Sequence, residues 1–171
     1  KKPKIGIVLI PERDELWVGI IGNGAWCENR EGHKTNISFS GRNEMSELIL
    51  VSSKNHQQSK LNNLLSTFCF AETKKIGSVG CKVASILRGE SDVYISLSGK
   101  TSPKDWDMAA PHALLEAAGG LFSHADGTNL IYQNQNFSQS GCLIASHGKS
   151  HHEICQKAME FFSLEVPEYI V

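Results

Sequence analysis

No basic excess marks this sequence: 17 Lys+Arg face 18 Asp+Glu, and the formal net charge is -1. A protein that grips phosphate backbones needs clustered cations to release counterions, so this balance argues against nucleic acid as a partner while allowing a local basic pocket for a small anion. Long hydrophobic runs are missing too. No stretch approaches the roughly 20 apolar residues of a bilayer span, and Lys1-Lys2-Pro3 followed by a strand-like run lacks a signal-peptide cleavage pattern. The expectation is a soluble chain without a membrane partner. Paired cysteines are absent: Cys27, Cys69, Cys81, Cys142 and Cys155 are odd in number, widely spaced and free of any Cys-x-x-Cys. This argues against a disulfide framework or a zinc site and for buried thiols in a reducing cytoplasm. Repeats and low-complexity linkers are also absent. With 40% hydrophobic and 20% charged residues over 171 positions, disorder, collagen and coiled coil are excluded and a single domain with one core is expected.

What is present alternates between strand and helix signals. Residues 4–10 (KIGIVLI) and 15–21 (ELWVGII) are apolar, β-branched runs separated by Pro11-Glu12-Arg13-Asp14, which reads as a hairpin. Gly22-Asn23-Gly24 then permits a third strand over 25–30, so residues 4–30 predict an antiparallel meander. Strands are also expected at 47–52, 69–75, 92–97, 121–123, 130–132 and 142–146. Helices are expected through Leu61, Leu64, Leu65 and Phe68, over Val79 to Arg88 with Ser78 as N-cap, over 106–119 and over 151–162. Pro11 aside, one proline bears on these elements: Pro111, which is expected in the first turn of its helix, where no backbone hydrogen bond is lost, with Asp107 at or beside the N-cap. Strands alternating with helices over 47–162 after the meander predict a mixed, layered α-β-α domain. Periodicity leaves open whether its sheet is parallel.

Chemistry concentrates around Lys104-Asp105-Trp106-Asp107-Met108-Ala109-Ala110-Pro111 and Glu116-Ala117-Ala118-Gly119-Gly120. A carboxylate at a helix N-terminus is ordinarily a cap. The same place also suits a hard cation that bridges to a phosphate, because the backbone N–H groups there attract anions.

These residues resemble the C-terminal signature of the inositol monophosphatase superfamily of Mg-dependent, lithium-sensitive phosphatases. Four further stretches agree in order and spacing: Ile5-Gly6-Ile7-Val8 with Pro11 and Asp14-Glu15-Leu16; Gly22-Asn23-Gly24-Ala25-Trp26; Gly77-Ser78-Val79-Gly80; and Asp126-Gly127 before Leu130 and Tyr132. Ser53-Lys54-Asn55-His56 and Lys82 are more similar to the 3'(2'),5'-bisphosphate nucleotidase branch. The resemblance implies the C-terminal domain of the inositol monophosphatase-like sugar phosphatase fold. It also implies phosphomonoester hydrolysis of adenosine 3',5'-bisphosphate to AMP and phosphate, with Mg2+ as cofactor, in sulfur metabolism. By the same resemblance Asp107 is a metal ligand, and Ser53, Asn55, His56, Ser78 and Lys82 bind substrate. The residues alone leave plainer roles open: Ser78 as a cap, Lys82 as a solvated charge and His56 as a surface loop residue.

The sequence also departs from the family pattern. The Gly-Glu and the Asp-Pro-Ile/Leu-Asp-Gly-Thr motifs that the family carries ahead of this hairpin, with the remaining metal ligands and the residues that position water, are not in these 171 residues. Gly89-Glu90 and Asp126-Gly127-Thr128 are decoys. Residues 1–171 are therefore expected to be the C-terminal part, without the N-terminal metal-binding part and with weak or no activity alone. An uncovered apolar side predicts a homo-oligomer, or a missing N-terminal half in trans. The other readings are an inositol-phosphate phosphatase and a non-catalytic nucleotide-phosphate binding or oligomerising module. Lys82 and the 53–56 loop distinguish the first of these, since a second phosphate calls for a cation that a single-phosphate cyclitol does not.

Overall fold

A computed structural model describes residues 1–54, 59–98, 102–133 and 136–165. The meander forms as its sequence predicts. β1 (Ile5–Ile10) and β2 (Glu15–Ile20) pair antiparallel with Ile5 opposite Ile20 and Ile10 opposite Glu15. Pro11 sets the start of the tight turn between them and Asp14, at φ +54°, closes it. β3 (Gly24–Glu28) follows, and Gly22 and Gly24 take the positive φ of its turn. A fourth strand, β4 (Lys34–Asn36), completes the sheet in the order β1-β2-β3-β4. The sequence hides β4 because all three residues are exposed and none is apolar.

A second sheet, in the order β6-β5-β7-β9-β8, is mixed. β5 (Ile49–Ser53) pairs parallel with both β6 (Glu72–Ile76) and β7 (Val93–Leu97), whereas β9 (Cys142–Ser146) runs antiparallel to β7 and β8 (Leu121–His124). Along β7 and β9 successive side chains enter opposite cores, as the two-residue strand period requires. Tyr94, Leu143 and Ala145 pack on the face toward α2 (Val79–Leu87) and α3 (Asp105–Ala117). Val93, Ile95, Cys142 and Ile144 pack on the face toward α1 (Ser59–Ser66) and α4 (His151–Glu165). Helices thus cover both faces of this sheet, as the layered α-β-α reading predicts. The first sheet lies outside α2 and α3 as a further layer, and the expected single core is split in two by the central sheet.

α3 is held between the two sheets. β1 comes so close that a Cβ on Gly6 would lie 2.1 Å from the Ala110 carbonyl oxygen, and one on Gly19 would lie 2.6 Å from the Leu114 Cα. This double burial explains why buried residues occur all around α3 and why its apolar stripe is a poor guide to its ends. Pro111 is the main correction. The helix begins at Asp105, so Pro111 sits inside it rather than in its first turn, and Asp107 occupies the third helical position. Pro111 lacks the N–H that the Asp107 carbonyl would receive, a loss accepted where packing from both sheets holds the helix. Three smaller corrections follow. Residues 130–132 are not a strand, although Leu130 and Tyr132 are buried; among the described residues one isolated bridge, Ser123 to Asn129, is what pairs beside them. Strand β6 starts at Glu72 rather than at 69. Of the cysteines, Cys142 and Cys155 are buried, Cys27 and Cys81 half-buried and Cys69 exposed, all of them free.

Two buried polar clusters hold the layers in register. Asp92 accepts the Ile49 backbone N–H and the Arg42 Nε–H, each at 2.7 Å, and the Ser40 hydroxyl, tying the crossover from the first sheet to β5 and β7. His151, at the start of α4, has Nε2 2.8 Å from the Ser123 hydroxyl oxygen and Nδ1 2.8 Å from that of Ser146. Ser123 donates to the His124 carbonyl and Ser146 accepts the Gly148 N–H. The network therefore assigns the proton of neutral His151 to Nε2, with Nδ1 accepting from Ser146.

Two outcomes follow from this packing. Gly6→Ala destabilises the fold by about 3 kcal/mol, because the clash is with helix backbone that cannot move aside; urea denaturation measures it. Burial lowers the His151 pKa to about 4, below its ordinary value. Between these values the unfolded chain binds a proton that the folded chain does not, so His151 makes stability fall as pH drops from about 6.5 toward 4. His151→Asn removes about one proton from that slope in unfolding curves taken across the same range.

Candidate functional site

A cleft of about 410 Å³ opens at the carboxyl ends of β5 and β7, where parallel neighbours connect to helices on opposite faces of the sheet. Crevices of this kind are where open α/β sheets gather ligands. Ser53 ends β5. Ser96 and Ser98 follow Tyr94 at two-residue intervals along and beyond β7, and all three reach the cleft. The Gly77-Ser78-Val79-Gly80 turn supplies the N-terminus of α2, and Ser102, Pro103 and Asp107 form the wall at the start of α3.

Four of the six residues expected at the site, Ser53, Ser78, Lys82 and Asp107, line this one cleft although they are spread over the sequence from 53 to 107. Asn55 and His56 lie outside the described residues. Ser78 caps α2: its hydroxyl oxygen accepts the Cys81 backbone N–H at 3.0 Å. The cap role and the cleft position coexist, since capping fixes the hydroxyl beside the remaining first-turn N–H groups.

Lys82 is no solvated charge. It is 1% exposed, its Nζ donates to the Gly77 carbonyl at 2.8 Å and stands 5.0 Å from the centre of the Tyr94 ring. Among the described residues it forms no ion pair. Burial lowers its pKa to about 8, the cost of holding an ammonium away from water without a carboxylate beside it. Burial likewise pushes the Tyr94 hydroxyl above its usual range, opposed by the neighbouring Ser96 and Ser53 hydroxyls. The cleft thus joins a helix N-terminus, a buried cation and a row of hydroxyls. Such a surface suits an anion rich in acceptor oxygens.

Among the described residues Asp107 is the single carboxylate in the cleft lining. Its Oδ2 accepts the Lys104 backbone N–H at 3.0 Å, so it caps its own helix from the third position and not from the N-cap itself. Asp107 can supply one hard oxygen ligand to a cation. Among the described residues no group of three His, Cys, Asp or Glu side chains is placed to hold a metal ion, and hard cations require several oxygen ligands. These residues do not form a complete Mg2+ site. Gly89 closes α2 at φ +69°, and Asp126 accepts from Thr128 in a local turn, so neither decoy reaches the cleft. Among the described residues no helix is long and apolar enough to cross a membrane.

Tyr94, Ser96, Ser98 and Ser102 are cleft residues that the sequence reading passed over. The alternation Tyr94-x-Ser96-x-Ser98 was the available signal, since it puts small hydroxyls on the face of β7 that also carries Tyr94.

The comparisons agree with this geometry. The family model described as the inositol monophosphatase family matches residues 1–161. The 3'(2'),5'-bisphosphate nucleotidase CysQ of Buchnera aphidicola is 33% identical over 130 residues, 76% of this chain and 46% of that protein. The inositol monophosphatase of Anabaena superposes with a TM-score of 0.72 at 26% identity, covering 93% of this chain and 60% of the other. A Ca-bound IMPase family protein from Staphylococcus aureus shares the fold at a TM-score of 0.67 and 18% identity, covering 91% of this chain and 56% of the other. The chain spans about half the length of the curated relatives it matches. By the family match over nearly its whole length, and by a cleft built from the residues that carry the resemblance, the chain belongs to the inositol monophosphatase family.

Proposed function

We propose that this chain is the nucleotide-holding part of a Mg2+-dependent phosphatase that acts on a bisphosphorylated nucleotide, adenosine 3',5'-bisphosphate, releasing one phosphate to leave AMP. The observation that carries this reading is Lys82: a buried ammonium that forms no ion pair among the described residues, one turn into a helix whose N-terminus faces the same cleft. A second phosphate supplies the negative charge that such a group lacks, at a site the helix N-terminus also favours. A bisphosphate nucleotidase among the relatives supports the same reading. The inositol monophosphatase relative favours a cyclitol phosphate instead; the cleft carries hydroxyls and a cation where that reading needs no second anion subsite.

In the reaction, the residues of this chain bind and orient. The α2 N-terminus, Ser78 and Lys82 hold the phosphate that is retained, Ser53 and Ser96 face the sugar, and Asp107 would contribute one oxygen ligand to a cation. Mg2+ supplies charge neutralisation and an activated water when bound. A single carboxylate does not hold it, so residues 1–171 alone release no measurable phosphate in this account. Five free thiols fit a cytoplasmic setting.

Three readouts test the proposal. Calorimetric titration with adenosine 3',5'-bisphosphate gives binding, and Lys82→Ala weakens it by roughly 10-fold or more, the worth of a charge-assisted hydrogen bond. Equal affinity for inositol 1-phosphate, unaffected by that substitution, would favour the cyclitol reading. Because Lys82 titrates near 8, nucleotide affinity holds below about pH 7.5 and falls as pH rises through 8 to 9; Lys82→Arg keeps its charge and abolishes the fall.

The outer face of the first sheet bears on assembly. Ile5, Ile7 and Leu9 are 59%, 57% and 63% exposed, and they share that face with Leu16, Val18 and Ile20, their register partners on β2. β1 is also an edge strand, a ready template for another strand. Residues 1–171 by themselves are accordingly proposed to self-associate through this face. Sedimentation gives a dimer or larger species for the chain and a monomer for Ile7→Lys; a monomer for both overturns the assignment.

A further inference from the structure

The start of α3 is strapped to a loop that the substrate-site reading does not use. Asp105, 8% exposed, accepts the Gln139 side-chain N–H at 2.6 Å on Oδ1 and the Gln133 backbone N–H at 2.6 Å on Oδ2. Gln139, 2% exposed, donates the same amide nitrogen to the Ile131 carbonyl at 2.9 Å. Backbone bonds continue the strap: the Gln139 N–H donates to the Pro103 carbonyl at 2.8 Å and the Asp105 N–H to the Phe137 carbonyl at 2.9 Å, while Lys104 and Ser138 form an isolated bridge.

Two residues of the strapped segments are strained. Gln133 lies at φ +66° and Phe137 at φ +53°, a region that costs a residue with a side chain free energy and persists only where surrounding contacts over-determine it. Several of those contacts are made to residues 103–105: the Gln133 and Gln139 N–H groups bond to Asp105 and Pro103, and the Phe137 carbonyl accepts from Asp105. Pro103 lines the cleft, and Asp107 reaches it through a carboxylate that is itself anchored on the Lys104 N–H.

We propose that Asp105 and Gln139 are positioning residues: their buried carboxylate–amide pair holds Gln133 and residues 137–139 against residues 103–105, and so fixes the Pro103 wall and the Asp107 carboxylate at the cleft. The role in binding rests on the substrate-site reading above; the role in placing Asp107 does not. Asn in place of Asp105 offers one acceptor oxygen for two converging N–H donors, so one bond must be lost. Met in place of Gln139 keeps the length of the side chain, removes its donors and leaves a buried carboxylate short of one partner.

The test uses the chain itself, with Asp105→Asn, Gln139→Met and, as a control lying away from the cleft, His151→Asn. Amide hydrogen exchange reads the placement of Asp107 directly through the Lys104 N–H that its carboxylate accepts. Both strap variants speed exchange at Lys104 and Gln133 by about 10-fold or more while β7 and β9 amides stay protected, and the control leaves Lys104 unchanged at matched loss of thermal stability. Titration with adenosine 3',5'-bisphosphate, where the parent chain binds it, shows about 10-fold weaker affinity in the strap variants and none of that loss in the control. Unchanged Lys104 protection in both strap variants overturns the proposal whatever the binding result. Loss of Lys104 protection with unaltered affinity overturns the part that concerns binding. A parent chain that binds no nucleotide, with Lys104 still deprotected in the variants, overturns the substrate reading and leaves the positioning role intact.

Discussion

The close approach of β1 and β2 to α3 is the constraint on which the rest depends. Two glycines, Gly6 and Gly19, let strand backbone lie directly on helix backbone, so the first sheet can cover α3 while the central sheet covers its other side. A helix gripped on two sides keeps its direction even with Pro111 in its interior. Its N-terminus is thereby carried to the carboxyl ends of β5 and β7, where Asp107 meets Ser53, Ser78 and Lys82 at one cleft. Packing and chemistry are coupled through that geometry: a Cβ added far from the cleft would push on the element that carries Asp107.

Electrostatics then divides the cleft. On one side stand a helix N-terminus and a buried Lys82 whose pKa is lowered to about 8, both unfavourable without an anion and both improved by one. The same cleft carries Asp107, committed through one oxygen to capping α3. Among the described residues the cleft offers a hard cation one carboxylate, and the curated relatives are about twice as long as this chain.

Much of this was legible in the sequence, for definable reasons. The hairpin, Ser78 as a cap, the helix beginning near Val79 and the strand over 142–146 are governed by local rules: Pro and Asp in a turn, a hydroxyl before an apolar helical stripe, and β-branched runs. Motif resemblance named six candidate site residues, and four of them, Ser53, Ser78, Lys82 and Asp107, line one cleft. Where reading failed, the cause was tertiary. Pro111 inside α3 violates a local rule that packing from two sheets overrides. Leu130 and Tyr132 alternate like a strand because both are buried, yet their backbone lacks a strand to pair with. β4 is held by its ladder to β3 and by Lys34 over the Trp26 ring, 4.6 Å from its centre, none of which three polar residues announce. Lys82 looks like a surface charge in sequence, and only the fold shows that it is buried.

The most direct test of the central claim, that this cleft is an anion site built by the α2 N-terminus and Lys82, is the amide spectrum of the chain as adenosine 3',5'-bisphosphate is added. The account predicts that the Ser78, Val79, Gly80 and Lys82 amides shift first and furthest, with smaller shifts at Ser53 and Ser96. Shifts concentrated instead between α1 and α4, around Asn63, Thr67 and Phe161, where a second groove lies, would contradict it.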